Sequence, residues 1–414
     1  MRLKQNNCGK QSIFGEKIVN LYLVKFALKA HMKKEKNITK NYNMIFNISS
    51  KNLMSHLSAV SKVVNSKNSI SILDNFLFEL NGDELVITGS DSDTTLKTRL
   101  TVNNAEGKGK FAVNVKRLNE LLKELPEQGL KFEINDDTLE INIYYMNGKF
   151  NFIGIDGNEF PQKALNDSDS RTFAIPAKEI VKGINQTIFA VGSEDLRAVM
   201  MGILWDIKPE EIVFVASDTH KLVRFKNFRT QTGLEASFIL PTKPASIIAN
   251  VFAKEEGNVA VTIDSKCATF TTEEFTLNCR FVAGRYPRYN SVIPEDNPNQ
   301  LSIDRETLLA AIRRVSVFAS QGGLIKFEFR PNEIFLKAED IDYSTLAEET
   351  IPCDYSGDNL IMGFNKTRII EVLDNISHDT VILKLSDASR AGIFEPEKQE
   401  EGEDLLVLLM PMMI

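Results

Sequence analysis

The chain repeats itself three times and each copy repeats once more internally, so whatever one unit folds into is built six times over. Phe46-Asn47-Ile48, Phe173-Ala174-Ile175 and Leu301-Ser302-Ile303 each open a short strand-like run followed by a helical pattern. The copies are 127 and 128 residues apart. A second set, Phe111, Phe238 and Ile361, does the same, and each member has a lysine five residues on: Lys116, Lys243 and Lys366. A period this long indicates whole small domains, because the turns of a solenoid recur every 20 to 50 residues or so.

Further markers keep the register. Leu85-Val86-Ile87-Thr88-Gly89-Ser90-Asp91 recurs as Ile212 to Asp218 and, more loosely, as Ile334 to Asp340. The copies also end alike, with Phe160-Pro161, Tyr286-Pro287 and Met410-Pro411. Between copies lie Asn166-Asp167-Ser168-Asp169-Ser170 and Pro294-Glu295-Asp296-Asn297-Pro298-Asn299, which are too polar to order themselves by burial. The expected domains are therefore residues 44–166, 171–294 and 300–414.

Inside each unit the hydrophobic period changes from two to 3.6, as a strand followed by a helix requires. Leu53, Leu57, Val60 and Val64 form one helical stripe, and Leu118, Leu121, Leu122 and Leu125 another. Ile180 with Ile184, Ile247 with Val251, Leu308 with Ile312, and Ile369 with Leu373 complete six. Lys131 to Ile134 and Leu139 to Ile143 alternate around Asn135-Asp136-Asp137, a hairpin signature. The fold class is α+β: three tandem domains, each a pair of strand-helix-antiparallel-sheet units.

Charge is segregated along this pattern. The first 43 residues carry ten Lys/Arg against two Glu, so the remaining chain carries −15 of a total of −7. The six helical windows nevertheless hold thirteen basic and six acidic residues, which leaves about −22 for everything else in the repeated body. Charged residues are ordinary on exposed helix faces, but five of six windows share one sign. Diffuse positive charge of this kind attracts phosphate backbones without reading sequence.

Catalytic machinery is hard to find. Four histidines and four cysteines form neither H-E-x-x-H nor C-x-x-C, and no Walker or dinucleotide glycine motif follows a strand. No metal, cofactor or nucleotide site is expected, and scattered cysteines fit a reduced cytoplasm. Ser217-Asp218-Thr219-His220-Lys221 is the one enzyme candidate, a hydrolase or nuclease centred on Asp218 and His220. Asp91 and Asp340 occupy the same repeat position without a histidine, which favours a turn that every domain needs. A scaffold that never meets DNA is a further alternative.

Residues 44–414 resemble the bacterial DNA polymerase III beta subunit, the sliding clamps, over essentially their whole length. The resemblance rests on Ser71-Ile72-Leu73-Asp74-Asn75, Asp195-Leu196-Arg197, Ser217 to Leu222, Gly284-Arg285-Tyr286-Pro287-Arg288-Tyr289, Tyr355-Ser356-Gly357 and Met410-Pro411-Met412. It implies a non-catalytic processivity factor: a head-to-tail homodimer of six clamp domains closing a ring, with helices around double-stranded DNA and sheets outside. It also implies a cytoplasmic protein with no membrane contact, whose partners are the polymerase III alpha subunit, the clamp loader and other proteins bearing a clamp-binding motif.

Carried over by motif, the peptide cleft would be walled by Met200, Ser217, Thr219, His220, Leu222, Pro287, Val292, Leu408, Met410, Pro411 and Met412. Methionines that repack around varied anchors suit such a site. The DNA contacts implied are Lys67, Arg197 and Lys243. Thr219 stands where the family commonly has glycine, and Lys221 where arginine is usual. Residues 1–43 lie outside the resemblance and are expected to be a disordered basic extension or the product of an upstream start. The stretch from Ile18 to Ala30 is too short and too charged to span a membrane.

Overall fold

The computed structural model describes residues 42–65, 68–161, 170–193 and 197–414. Residues 1–41, most of the basic extension, lie outside the described residues, as do Lys67, Asp195 and Leu196. The first domain runs β1 (Met44–Ser49), α1 (Ser50–Val60), β2 (Asn75–Asn81), β3 (Glu84–Ser90), β4 (Thr94–Thr101) and β5 (Asn103–Glu106). It continues with β6 (Lys108–Asn114), α2 (Val115–Lys123), β7 (Gly129–Asn135), β8 (Glu140–Tyr145), β9 (Gly148–Ile153) and β10 (Ile155–Asp156).

The second domain repeats the order: β11 (Arg171–Pro176), α3 (Ala177–Thr187), β12 (Gly202–Ile207), β13 (Ile212–Ser217), β14 (Lys221–Asn227), β15 (Ala236–Pro241), α4 (Thr242–Val251), β16 (Asn258–Ile263), β17 (Cys267–Thr271) and β18 (Phe275–Arg280). The third has β19 (Asn299–Asp304), α5 (Arg305–Ser316), β20 (Leu324–Arg330), β21 (Glu333–Asp340), β22 (Thr345–Pro352) and β23 (Asp354–Tyr355). It ends with β24 (Leu360–Asn365), α6 (Lys366–Asp374), β25 (Thr380–Leu385), β26 (Gly392–Pro396) and β27 (Glu403–Leu409). The strand-then-helix repeats and the 131–143 hairpin expected from the sequence are all present, and every strand pair is antiparallel.

Local chemistry starts each helix. Ser49, Asn114, Asp304 and Asn365 cap α1, α2, α5 and α6 by accepting amide hydrogens of the first turn, while Pro176 and Pro241 precede α3 and α4. The core repeats as well. Phe78 stacks on Phe111 and Trp205 on Phe238, with ring centroids 5.1 and 5.4 Å apart, and Phe327 pairs across strands with Met362 at the same place in the third domain.

Sheets run through the domain seams. β4 pairs with β18 over five residues, so one nine-stranded sheet spans the first two domains. β14 pairs with β27 over seven, and a second nine-stranded sheet spans the second and third. By the same register β9 and β22 are the third pair of such strands, yet both lie at open edges of smaller sheets.

The chain leaves each domain by one stitch. Ile155 pairs with Ala112, Val282 donates its amide to the Ile239 carbonyl at 3.0 Å, and Met412 donates to the Gly363 carbonyl at 2.7 Å. Ala112, Ile239 and Gly363 hold the same position in β6, β15 and β24. This register corrects the end markers: Phe160-Pro161 and Tyr286-Pro287 follow their stitch, whereas Met410-Pro411 precedes it. Dipeptide likeness misled because the sheet edge, and not the proline, sets the alignment.

Candidate docking cleft and basic face

The turn between β13 and β14 shows what the Ser217 to Leu222 motif does. Asp218 Oδ1 accepts the amides of His220 at 2.9 Å and Lys221 at 2.8 Å, and Oδ2 takes the Lys221 ammonium at 3.0 Å. Asp91 and Asp340 accept the equivalent amides in the other domains. Burial pushes the Asp218 carboxyl upward, but the Lys221 backbone and ammonium bonds outweigh it and hold the group below its ordinary range. The aspartate is a turn former committed to three donors, and His220 is exposed beside it.

Thr219 adopts a φ of +73°, and Ser92 at the same place in the first domain has +83°. This left-handed backbone suits glycine and strains a β-branched residue. Lys221 points into the seam and is nearly buried; besides Asp218 it reaches Glu371 Oε2 of α6 at 2.7 Å.

β13 and the second half of β27 are apolar on both faces, and β14 adds Val223 and Phe225 on one face and Leu222 on the other, where Arg224 and Lys226 follow. Phe214, Val223, Phe225, Leu405 and Val407 enter the main core, while Val213, Val215, Leu222, Leu406 and Leu408 form a separate cluster on the opposite face with Leu204, Ile239 and Ile393. Leu222 lies directly across from Leu408. Tyr286 and Tyr289, from the loop after β18, pack on this cluster. Burial, reinforced by Asp206, pushes the Tyr289 phenol up to about 12, and its hydroxyl donates to Asp206 Oδ2 at 3.0 Å.

The first seam has the same backbone but a different surface. Thr95 replaces Leu222, Thr88 replaces Val215, and Thr276 and Asn278 replace Leu406 and Leu408. An apolar floor exists at the second seam only because of side chains, since the architecture there is shared.

Around that floor the structure gathers most of the expected wall. The Met410 amide donates to the His220 carbonyl at 2.8 Å, tying the C-terminal segment to the turn, and Met412 is held on Gly363. Met410, Val292, Pro287, Thr219 and His220 are exposed, Pro411 and Met412 half-buried, and Leu222, Leu408, Ser217 and Met200 buried. Ser217 Oγ donates to the Lys221 carbonyl, and Met200 closes a short 3-10 turn ahead of β12. Sequence reasoning missed the floor residues Leu204, Val213, Val215, Ile239, Ile393 and Leu406. The unbroken apolar runs Ile212 to Ala216 and Leu405 to Leu409 were the available signal, because alternation disappears when both faces are covered.

The basic residues separate into two kinds. Arg197 is exposed at the start of the Ala198–Met200 turn and makes no ion pair among the described residues. Lys243 is engaged at the first seam: its ammonium contacts Asp91 Oδ2 at 2.5 Å, Asn65 Oδ1 at 2.6 Å and the Val63 carbonyl at 2.5 Å. Lys182 is similarly tied to Glu400 and Glu403. Among the described residues no cluster of His, Cys, Asp and Glu could hold a metal, and no helix is long and apolar enough to cross a membrane.

Three family models match successive parts of the chain: the N-terminal, central and C-terminal domains of the DNA polymerase III beta subunit, at residues 44–165, 174–288 and 290–413. The beta sliding clamp of Pseudomonas aeruginosa is 25% identical over 89% of this chain and all of its own length. That of Bacillus subtilis is 22% identical, covering 89% of this chain and 99% of its own. Among solved structures, the Pseudomonas aeruginosa DNA polymerase III subunit beta bound to griselimycin superimposes with a TM-score of 0.85 at 24% identity, over 90% of this chain and 100% of the other. The Thermotoga maritima beta subunit gives 0.82 at 24% identity, again over 90% and 100%. With matches running from residue 44 to residue 413, the chain belongs to the DNA polymerase III beta subunit family.

Proposed function

We propose that the protein is a sliding clamp, a processivity factor that closes around duplex DNA as a head-to-tail dimer and tethers the replicative polymerase to it. The observation carrying this reading is the pair of open edges at β9 and β22. Two of three equivalent seams are made within the chain, and a heterologous contact repeated by rotation closes a ring.

The two internal seams dictate the register of the third. Leu277 faces Leu96, Val407 faces Val223, and their counterparts are Phe150 on β9 and Ala347 on β22. That alignment sets half-buried Phe150 and Phe152 against half-buried Ala347 and Thr345 of a second copy, and places Lys149 opposite Glu348. Directly opposed residues of antiparallel strands approach within disulfide reach. A variant with Asn151→Cys and Leu346→Cys should therefore form a covalently closed dimer on oxidation, while Asn151→Cys with Ala347→Cys, one residue out of register, should not. Equal cross-linking of both would overturn the register, and a monomer in solution would overturn the ring.

Inside such a ring the helices would present diffuse positive charge to phosphates, with Arg197 and Lys67 as contacts and no dependence on base sequence. Loose contact suits sliding, because enclosure gives persistence without tight binding. The seam between the second and third domains is the docking cleft for the polymerase III alpha subunit, the clamp loader and other motif-bearing proteins. Its support is the apolar floor that the first seam lacks. No catalytic role is assigned, since the Asp218 carboxylate is committed to its turn and to Lys221, and the protein acts in the cytoplasm where replication takes place.

A further inference from the structure

Beside the apolar floor, the loop carrying Tyr286 and Tyr289 roofs a second pocket that the cleft assignment leaves unused. Its lining includes Leu204, Lys208, Arg285, Arg288 and Asn290. Leu204, Tyr286 and Tyr289 belong to both the pocket and the cleft floor, and Pro287 stands in the wall of each, so the two are continuous.

The charges of this pocket are unbalanced. Asp206 holds the Tyr289 hydroxyl, and Glu211 holds Lys208 at 2.5 Å. Arg285 and Arg288 are exposed and have no ion-pair partner among the described residues. Nor does the fold demand a cation there. Three residues after its stitch, where Arg285 stands in the second domain, the first domain has the uncharged Asn158. Two guanidiniums without ion-pair partners among the described residues, set at the end of an apolar groove, make a local positive field on a chain whose net charge is −7. Guanidinium groups favour carboxylates because they can donate two parallel hydrogen bonds to one.

We infer that Arg285 and Arg288 extend the docking cleft into an acidic-residue subsite, so that the peptides this clamp prefers carry an Asp or Glu flanking their apolar anchors. The inference rests on the cleft reading and names the chemistry of its partners. Apolar anchors would supply the common part of the affinity, and the arginines would rank partners and accelerate encounter at low salt.

The test is selection of a random dodecapeptide phage library on the full-length protein, on the double variant Arg285→Ser, Arg288→Ser, and on the chain truncated after Leu409. Peptides with apolar anchors and a neighbouring acidic residue should be enriched on the wild type, and the acidic preference should vanish on the double variant while the apolar anchors persist. A selected acidic peptide should bind the double variant roughly five- to tenfold more weakly at low salt, with the gap closing as salt rises. Anchored peptides without acidic bias, or the same bias on the double variant, would overturn the subsite. Failure to enrich any anchored peptide, or enrichment unaffected by the truncation, would overturn the cleft itself.

Discussion

Lys221 and Glu371 meet across the seam between the second and third domains, ammonium to carboxylate at 2.7 Å, with the lysine almost fully buried and Asp218 on its other side. Replacing Lys221 by alanine leaves two carboxylates without their shared cation; Glu371 is 41% exposed and regains water, so the loss is about 1 to 2 kcal/mol, below that of a fully buried pair. A lowered urea midpoint for Lys221→Ala, with Lys221→Arg close to wild type, is the expected result. Because the Asp218 carboxyl sits below its ordinary value of 3.8, its contribution is complete above that pH and is lost as the pH falls further. Acid unfolding followed by fluorescence should show wild type losing stability below about pH 4 more steeply than Asp218→Asn.

Thr219 holds a left-handed backbone at the lip of the cleft. Glycine there removes the strain while loosening the unfolded chain, for a net gain of up to about 1 kcal/mol. Thermal unfolding of Thr219→Gly should shift upward by a few degrees, and no change or a decrease would show that the turn tolerates the side chain without strain.

Lys243 and Arg197 should behave differently on mutation. Lys243→Ala removes the cation that joins Asp91, Asn65 and the Val63 carbonyl at the first seam, so its main effect should be on thermal stability. Arg197→Ala should leave the melting temperature unchanged and lower the salt-sensitive part of DNA association. Parallel melting and loading assays separate the two, and an unchanged melting temperature for Lys243→Ala would return that lysine to the DNA surface.

His56 lies buried at the first seam, where Nδ1 is 2.6 Å from Thr98 Oγ1, the ring stacks on Phe275, and Nε2 is 3.8 Å from Glu274. Burial lowers its pKa and Glu274 only partly restores it, so the folded seam prefers the neutral ring. Its contribution is therefore complete above the unfolded value of 6.5 and declines as the pH falls through that value. Melting temperatures from pH 7.5 to 5.5 should drop further for wild type than for His56→Gln.

The repeats made the α+β class, the six helices and the Asp91, Asp218 and Asp340 turns legible in the sequence, since each rests on short-range pattern. The floor of the cleft was half legible: the run from Leu405 to Leu409 announced a strand covered on both sides but not what covered it. Tyr286, more than a hundred residues earlier, supplies that cover through a loop with no periodic signal. The seam contacts of Lys243 were hidden from the sequence for a related reason. Its seam partners Val63, Asn65 and Asp91 lie some 150 to 180 residues away, and local charge counts cannot register pairing over that distance.

Enclosure of DNA is tested most directly by retention on nicked circular DNA, before and after linearisation, with a matched clamp loader and ATP supplied. Co-elution of the protein with the circle that disappears when the circle is cut is the expected result. Equal retention on circular and linear DNA would contradict it, because a protein held by surface contacts alone is indifferent to whether the DNA has ends.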